Sequence, residues 1–108
     1  MIRKGLKIQS DSDRHREHAW KTARTASHIL RDRFGAFRVV VFGSLSRPPD
    51  FTQWSDIDLA AWGISPDRIY RAVADVTGFS QEFEIDLTDV ETCPPSLLKI
   101  VEKEGIDL

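Results

Sequence analysis

Residues 39–63, VVVFGSLSRPPDFTQWSDIDLAAWG, contain two apolar runs separated by a polar loop. The first run, 37–42, is mostly apolar and rich in β-branched residues, which predicts a strand in the middle of a sheet. Residues 45–55 carry prolines and polar side chains and predict a loop. The second run, 57–62, predicts another strand. The stretch therefore indicates a strand-loop-strand unit, with acidic residues where the second strand begins.

Asp56 and Asp58 are those acidic residues. Residues two apart on a strand point the same way, about 6.6 Å apart along the chain, so both carboxylates face one patch of space. Without a counterion they repel each other and the pKa of one rises, whereas a divalent cation between them is bound. Mg²⁺ suits such oxygen ligands and commonly binds the phosphates of a substrate as well. The pair thus predicts a Mg²⁺ site and a phosphate-bearing substrate.

Three other features support this interpretation. Asp86 lies on the polar face of a third predicted strand, 82–87, whose polar and apolar residues alternate, so a small sheet would bring it beside the acidic pair. Gly43 lets the backbone approach a ligand closely, and Ser44 adds a hydroxyl at the strand end. Arg47 is expected either to contact a second phosphate oxygen or to be a solvated loop residue.

Three segments predict helices. The first, 11–33, follows the run QSDS, whose side chains can cap a helix. The second begins after Ser65, its predicted N-cap, and ends at Gly78. The third, 97–104, ends at Gly105. Apolar spacing predicts the buried residues: Trp20, Ala23, Ala26 or Ser27, Leu30 and Phe34 in the first helix, Ile69, Val73 and Val76 in the second, with Trp62 also in the core. The predicted element order is α-β-β-α-β-α.

Composition limits the classes of function. The 108 residues, 41% hydrophobic and 30% charged, predict one globular domain spanning 1–108. A formal charge of −2 gives no overall attraction to nucleic acid or anionic membrane, so neither is expected as a partner. Cys93, the single cysteine, excludes an internal disulfide and suggests a reducing, cytoplasmic location. Residues 1–7 lack the apolar core of a signal peptide, and no stretch is long enough for a membrane span.

The Gly-Ser pair at 43–44, the Asp-x-Asp motif at 56–58 and the later Asp86 resemble the nucleotidyltransferase fold of the DNA polymerase β superfamily. In size and element order the chain is most similar to its smallest branch, the minimal nucleotidyltransferases, often found as antitoxins paired with HEPN-domain toxins. The resemblance implies an α/β (α+β) fold with a small mixed β-sheet, and Mg²⁺-dependent transfer of a nucleoside monophosphate from a nucleoside triphosphate to a hydroxyl.

The resemblance also implies roles for single residues. Asp56 and Asp58 would hold the metal ions, and Asp86 would share one of them and act on the attacking hydroxyl. Gly43 and Ser44 would hold the triphosphate. Many members have a glycine where this chain has Pro48-Pro49, so the contacts of this loop with an acceptor or partner are left open.

Two functions of different kinds are compatible with these residues. The first is an enzyme that adenylylates a protein with ATP as donor, the acceptor being a tyrosine of a cognate HEPN toxin. The second is a non-catalytic, nucleotide-binding antitoxin that neutralises a toxin by covering it. A small-molecule acceptor is less favoured because 108 residues leave no room for a substrate domain.

Several other side chains could bind a metal ion or a ligand but are not included in the predicted metal site. His15 and His18 lie one turn apart on the first helix, but the charged residues around them indicate a solvated face rather than a metal site. Glu84 shares the polar face of Asp86 and is expected to be solvated. Trp54, in the polar loop, is either a lid over the nucleotide base or an anchor for a partner.

Overall fold

The computed structural model describes residues 11–108; the predictions made for residues 1–7, and the start of the QSDS run, lie outside them. Seven helices and strands follow in chain order: α1 Asp11–Phe34, β1 Arg38–Phe42, β2 Ile57–Trp62, α2 Ile69–Gly78, β3 Ile85–Asp89, α3 Pro95–Glu104 and β4 Ile106–Asp107. No helix in this part of the chain is long and apolar enough to cross a membrane.

The four strands form one mixed sheet in the order β3-β2-β1-β4. β1 runs antiparallel to β2 and β4, whereas β2 and β3 are parallel. The predicted α/β (α+β) fold with a small mixed sheet is therefore confirmed.

Side chains alternate between the two faces of the sheet and build a hydrophobic cluster on each. On one face, Val39 and Val41 of β1 pack with α1 and α2. On the other, Val40 and Phe42 pack with Ala60 of β2 and with α3. Asp58 is two residues before Ala60 on β2 and therefore lies on the α3 face.

The first helix follows its predicted pattern closely. Its buried residues are Ala19, Ala23, Ala26, Ser27, Leu30 and Phe34. Trp20 was predicted to belong to the core and does not: it is partly buried and packs against the cluster from outside. Trp62 is likewise only partly buried, with the guanidinium of Arg38 4.4 Å from its ring centroid.

The second helix begins later than predicted. Ser65 is not its N-cap, because the N–H of Arg68 donates to the carbonyl of Ser65 (2.9 Å) and closes a separate turn before the helix. Its fully buried residues are Ala72 and Val76, and Val73 is only partly buried. Gly78 ends the helix as predicted.

The predicted strand and loop bounds also shift. β1 begins at Arg38, one residue late, and β3 occupies Ile85–Asp89 rather than 82–87. The predicted loop 45–55 includes parts of two 3-10 turns, Gly43–Ser46 and Pro48–Asp50. β4 was not predicted at all, since its two residues carry no pattern and it is defined by pairing with β1.

Candidate active site

The register of the sheet brings the predicted acidic residues together. Asp58 of β2 lies directly opposite Asp86 of the parallel strand β3, and on its other side it pairs with Phe42 of β1. Asp56 immediately precedes β2, and its spacing of two from Asp58 assigns it to the same face. Three carboxylates therefore lie at one end of the sheet, on the face that α3 partly covers.

Asp58 is the partly buried member of this group, whereas Asp56 and Asp86 are exposed. Burial, together with the negative charges of Asp86 and Asp56, raises the pKa of Asp58 to about 6, against an opposing effect of Arg47. Four charged side chains therefore influence one another at this point. The net repulsion among the carboxylates is what a bound cation would relieve.

The donor set suits Mg²⁺. Carboxylate oxygens are its preferred protein ligands, and it usually takes only one or two of them, filling the rest of its shell with water and substrate phosphate. Across residues 11–108, no three or more acidic, histidine or cysteine side chains already stand in a geometry that would hold a metal ion. A site completed by phosphate and water does not need such a closed cluster.

Gly43 brings the backbone against Asp58. It has a φ of +72°, a region that side chains disfavour. A Cβ at this position would collide with Oδ2 of Asp58 and lie 3.2 Å from its Cγ. Glycine is therefore required twice over, by conformation and by the close approach of the loop to the carboxylate. Ser44 follows it in the same 3-10 turn.

Arg47 is engaged by two carboxylates. Its Nε donates to Oδ2 of Asp50 (2.7 Å), and its Nη1 lies 2.6 Å from Oε1 of Glu104 at the end of α3. The same Oε1 accepts a hydrogen bond from the N–H of Gly43 (3.3 Å). Glu104 is a residue that sequence reasoning missed, because it lies far from the motif in sequence and only tertiary packing brings it there.

The side chains assigned away from the site have different surroundings. The expectation of a solvated face is wrong for His15, which is partly buried with its ring 5.5 Å from Phe51 and 4.9 Å from Phe83, centroid to centroid. His18 is exposed and lies 3.2 Å from Glu82. Trp54 is 84% exposed.

The raised pKa of Asp58 predicts a pH dependence of stability. The folded protein holds this proton up to about pH 6, whereas an unfolded Asp loses it near about pH 4. The folded state therefore binds more protons in this interval, and the free energy of unfolding falls as pH rises through it. Asp58→Asn should remove this fall and stabilise the metal-free protein at pH 7.5 by about 1–2 kcal/mol, allowing for solvent screening.

Urea unfolding at pH 4 and pH 7.5 measures this effect. Asp32→Asn is a matched control, since it removes an exposed carboxylate from α1. An Asp58→Asn protein less stable than the wild type at pH 7.5 would contradict the inferred cost of holding an ionised Asp58 partly buried beside Asp86 and Asp56.

No protein-family model matches the chain, and no curated protein sequence matches it. Among solved structures, a candidate minimal nucleotidyltransferase has 26% sequence identity and a TM-score of 0.61, over 93% of this chain and 98% of its own. A toxin-antitoxin structure with AMP-PNP has 20% identity and a TM-score of 0.64, over 79% of this chain and 70% of its own. An MNT antitoxin in complex with a tri-AMPylated HEPN toxin of Shewanella oneidensis has 18% identity and a TM-score of 0.61, over 82% and 70%.

The likeness to the candidate minimal nucleotidyltransferase spans nearly the whole of both chains. The toxin-antitoxin structures share the fold at lower identity. Together with the mixed sheet, these likenesses confirm the resemblance seen in the motifs. The chain therefore has the nucleotidyltransferase fold and is similar in structure to the minimal nucleotidyltransferases.

Proposed function

We propose that this chain is a Mg²⁺-dependent protein adenylyltransferase that transfers AMP from ATP to a hydroxyl group. The observation that carries the proposal is that the sheet register places Asp58 directly opposite Asp86, while the backbone of Gly43 lies in close contact with Asp58. Like-charged side chains at the open end of a sheet, beside a tight glycine turn, are suited to binding a cation and phosphates together.

The proposal assigns a task to each residue of the site, and Asp86 has two. Asp56 and Asp58 would hold the metal ions together with Asp86, and metal bound there would supply positive charge that neutralises the phosphates. Gly43 and Ser44 hold the triphosphate at the end of β1. The exposed carboxylate of Asp86 takes the proton of the acceptor hydroxyl. The oxygen of that hydroxyl then bonds to the α-phosphorus of ATP, and pyrophosphate leaves.

The proposed acceptor is a tyrosine of a HEPN-domain toxin, and the proposed setting is the cytoplasm. Two observations support a protein acceptor. Asp56 and Asp86 are exposed, so a residue carried by another protein can reach them. Among the solved structures with the same fold, one is an antitoxin with an AMPylated HEPN toxin and another contains AMP-PNP.

A second candidate is a non-catalytic antitoxin that binds nucleotide and covers its toxin. One observation favours it: the N–H of Gly43 and the guanidinium of Arg47, both expected to meet phosphate, are engaged by Glu104. If this arrangement persisted with ATP present, the triphosphate would lack two of its expected donors.

Calorimetric titration with ATP tests the proposed site. We expect wild-type protein to bind ATP with Mg²⁺ and to lose at least about 10-fold in affinity with EDTA or in Asp58→Asn, because the metal then lacks a ligand. Asp32→Asn should bind like the wild type. Equal affinity with Mg²⁺ and with EDTA would overturn the metal-dependent site.

A further inference from the structure

Glu104 lies where a phosphate of the nucleotide is expected. One of its oxygens, Oε1, is 3.3 Å from the backbone nitrogen of Gly43 and 2.6 Å from Nη1 of Arg47. A backbone N–H of a tight turn and a guanidinium are the two kinds of donor that commonly bind phosphate. The corner formed by Gly43 and Arg47, here called the anion corner, is thus filled by a carboxylate of the same chain.

The fold holds Glu104 at this corner. α3 ends at Glu104, and the N–H of the next residue, Gly105, donates to the carbonyl of Val101 (2.7 Å). A Cβ on Gly105 would collide with that carbonyl and lie 3.0 Å from Cγ2 of Val40 on β1. The absence of a side chain at Gly105 therefore allows the end of α3 to pack against β1, close to where β1 leads into Gly43.

Glu104 is also only partly exposed, with 26% of its side-chain surface accessible. Arg47 is held from its other side by Asp50, whose hydrogen bond raises the pKa of the guanidinium, with Glu104 adding to the effect. At this corner the guanidinium of Arg47 therefore lies between the carboxylates of Asp50 and Glu104. The corner lies close enough to the acidic group for Arg47 to act on Asp58.

We infer that Glu104 is an internal competitor for the triphosphate: its carboxylate occupies the anion corner and must leave before a nucleotide phosphate binds there. The inference rests on the proposed function, because it assumes that this corner receives the triphosphate. A phosphate group and a carboxylate cannot both take the N–H of Gly43, and as neighbouring anions they repel each other. Glu104 therefore lowers nucleotide affinity and keeps the corner occupied in the empty protein.

The opposite role would be that of a positioning residue. If Glu104 only oriented Arg47 and the glycine turn for the nucleotide, removing its charge would disorder the corner and weaken binding. A competitor and a positioning residue thus predict changes of opposite sign. Glu104→Gln separates them, because glutamine keeps an oxygen that can accept from Gly43 but carries no charge.

The experiment measures ATP affinity in the presence of Mg²⁺ by calorimetry. We expect Glu104→Gln to bind ATP about 10-fold more tightly than the wild type, and Glu104→Ala to do likewise. Glu102→Gln, which removes an exposed carboxylate of α3 that acts on Arg38 instead, should leave affinity unchanged. When Arg47 is also replaced by alanine, Glu104→Gln should increase ATP affinity by less, because one of the two donors for which Glu104 and phosphate compete is then absent.

The outcomes separate the inference from the proposed function. Equal or weaker ATP binding by both Glu104 variants, with the wild type binding normally, would overturn the competitor role and leave the nucleotide site standing. Failure of the wild type and both variants to bind ATP would overturn the proposed function and the inference together. Circular dichroism of each variant verifies that the folds are comparable.

Discussion

Replacing Asp86 by asparagine should slow AMP transfer by about 10²–10⁴-fold, the range lost when a general base is removed. ATP affinity should change far less, because proton removal from the acceptor contributes in the transition state rather than in the bound ground state. Asp86 is exposed and directly opposite Asp58, so a hydroxyl carried by another protein can reach it. Single-turnover transfer of labelled AMP to a HEPN-domain partner, at saturating ATP, measures the effect.

Glu84 offers a matched control for this experiment. It is exposed and lies two residues before Asp86, where an extended chain directs it to the same face, but it precedes β3. Glu84→Gln should retain nearly the wild-type rate. An unchanged single-turnover rate in Asp86→Asn, or an equal loss in Glu84→Gln, would show that the third carboxylate has been assigned wrongly.

Three of the four strands were predictable because they carry patterns of apolar residues that follow from burial. β2 was predicted with its observed bounds, since Ile57 to Trp62 combines an apolar run with a preceding loop. β4 was missed because two residues have no periodicity and their conformation is set by pairing with β1. The start of α2 was misplaced for a related reason: Ser65 and Pro66 form a hydrogen-bonded turn that resembles a helix start in sequence but is separate from it.

The site was predictable only in part. The shared direction of Asp56 and Asp58 follows from the period of a strand. Gly43 was singled out for a close approach of the backbone to a ligand, and in the structure the close approach is to Asp58. Glu104 could not be found this way, since α3 reaches Gly43 through packing between distant parts of the chain. The sequence left Arg47 either in contact with phosphate or solvated in the loop, whereas the structure shows it paired with Asp50 and Glu104.

Co-expression with a toxin should distinguish the enzyme from the non-catalytic antitoxin. If the proposed function holds, a HEPN-domain toxin that is the partner of this chain should gain the mass of one or more AMP groups when the two are co-expressed. Asp56→Asn should give no added mass and no protection, because the metal loses a ligand while the exposed position of Asp56 spares the fold.

Intact-mass spectrometry of the purified toxin and growth of the co-expressing cells provide the two readouts. Asp32→Asn, which removes an exposed carboxylate of α1, should modify and protect like the wild type. A toxin inactivated by covalent AMP modification should also stay inactive after this chain is removed. A toxin inhibited only by complex formation should regain its activity. Protection by Asp56→Asn without added mass would therefore overturn the enzyme and establish the binding antitoxin, since neutralisation would then require contact but no metal-dependent chemistry.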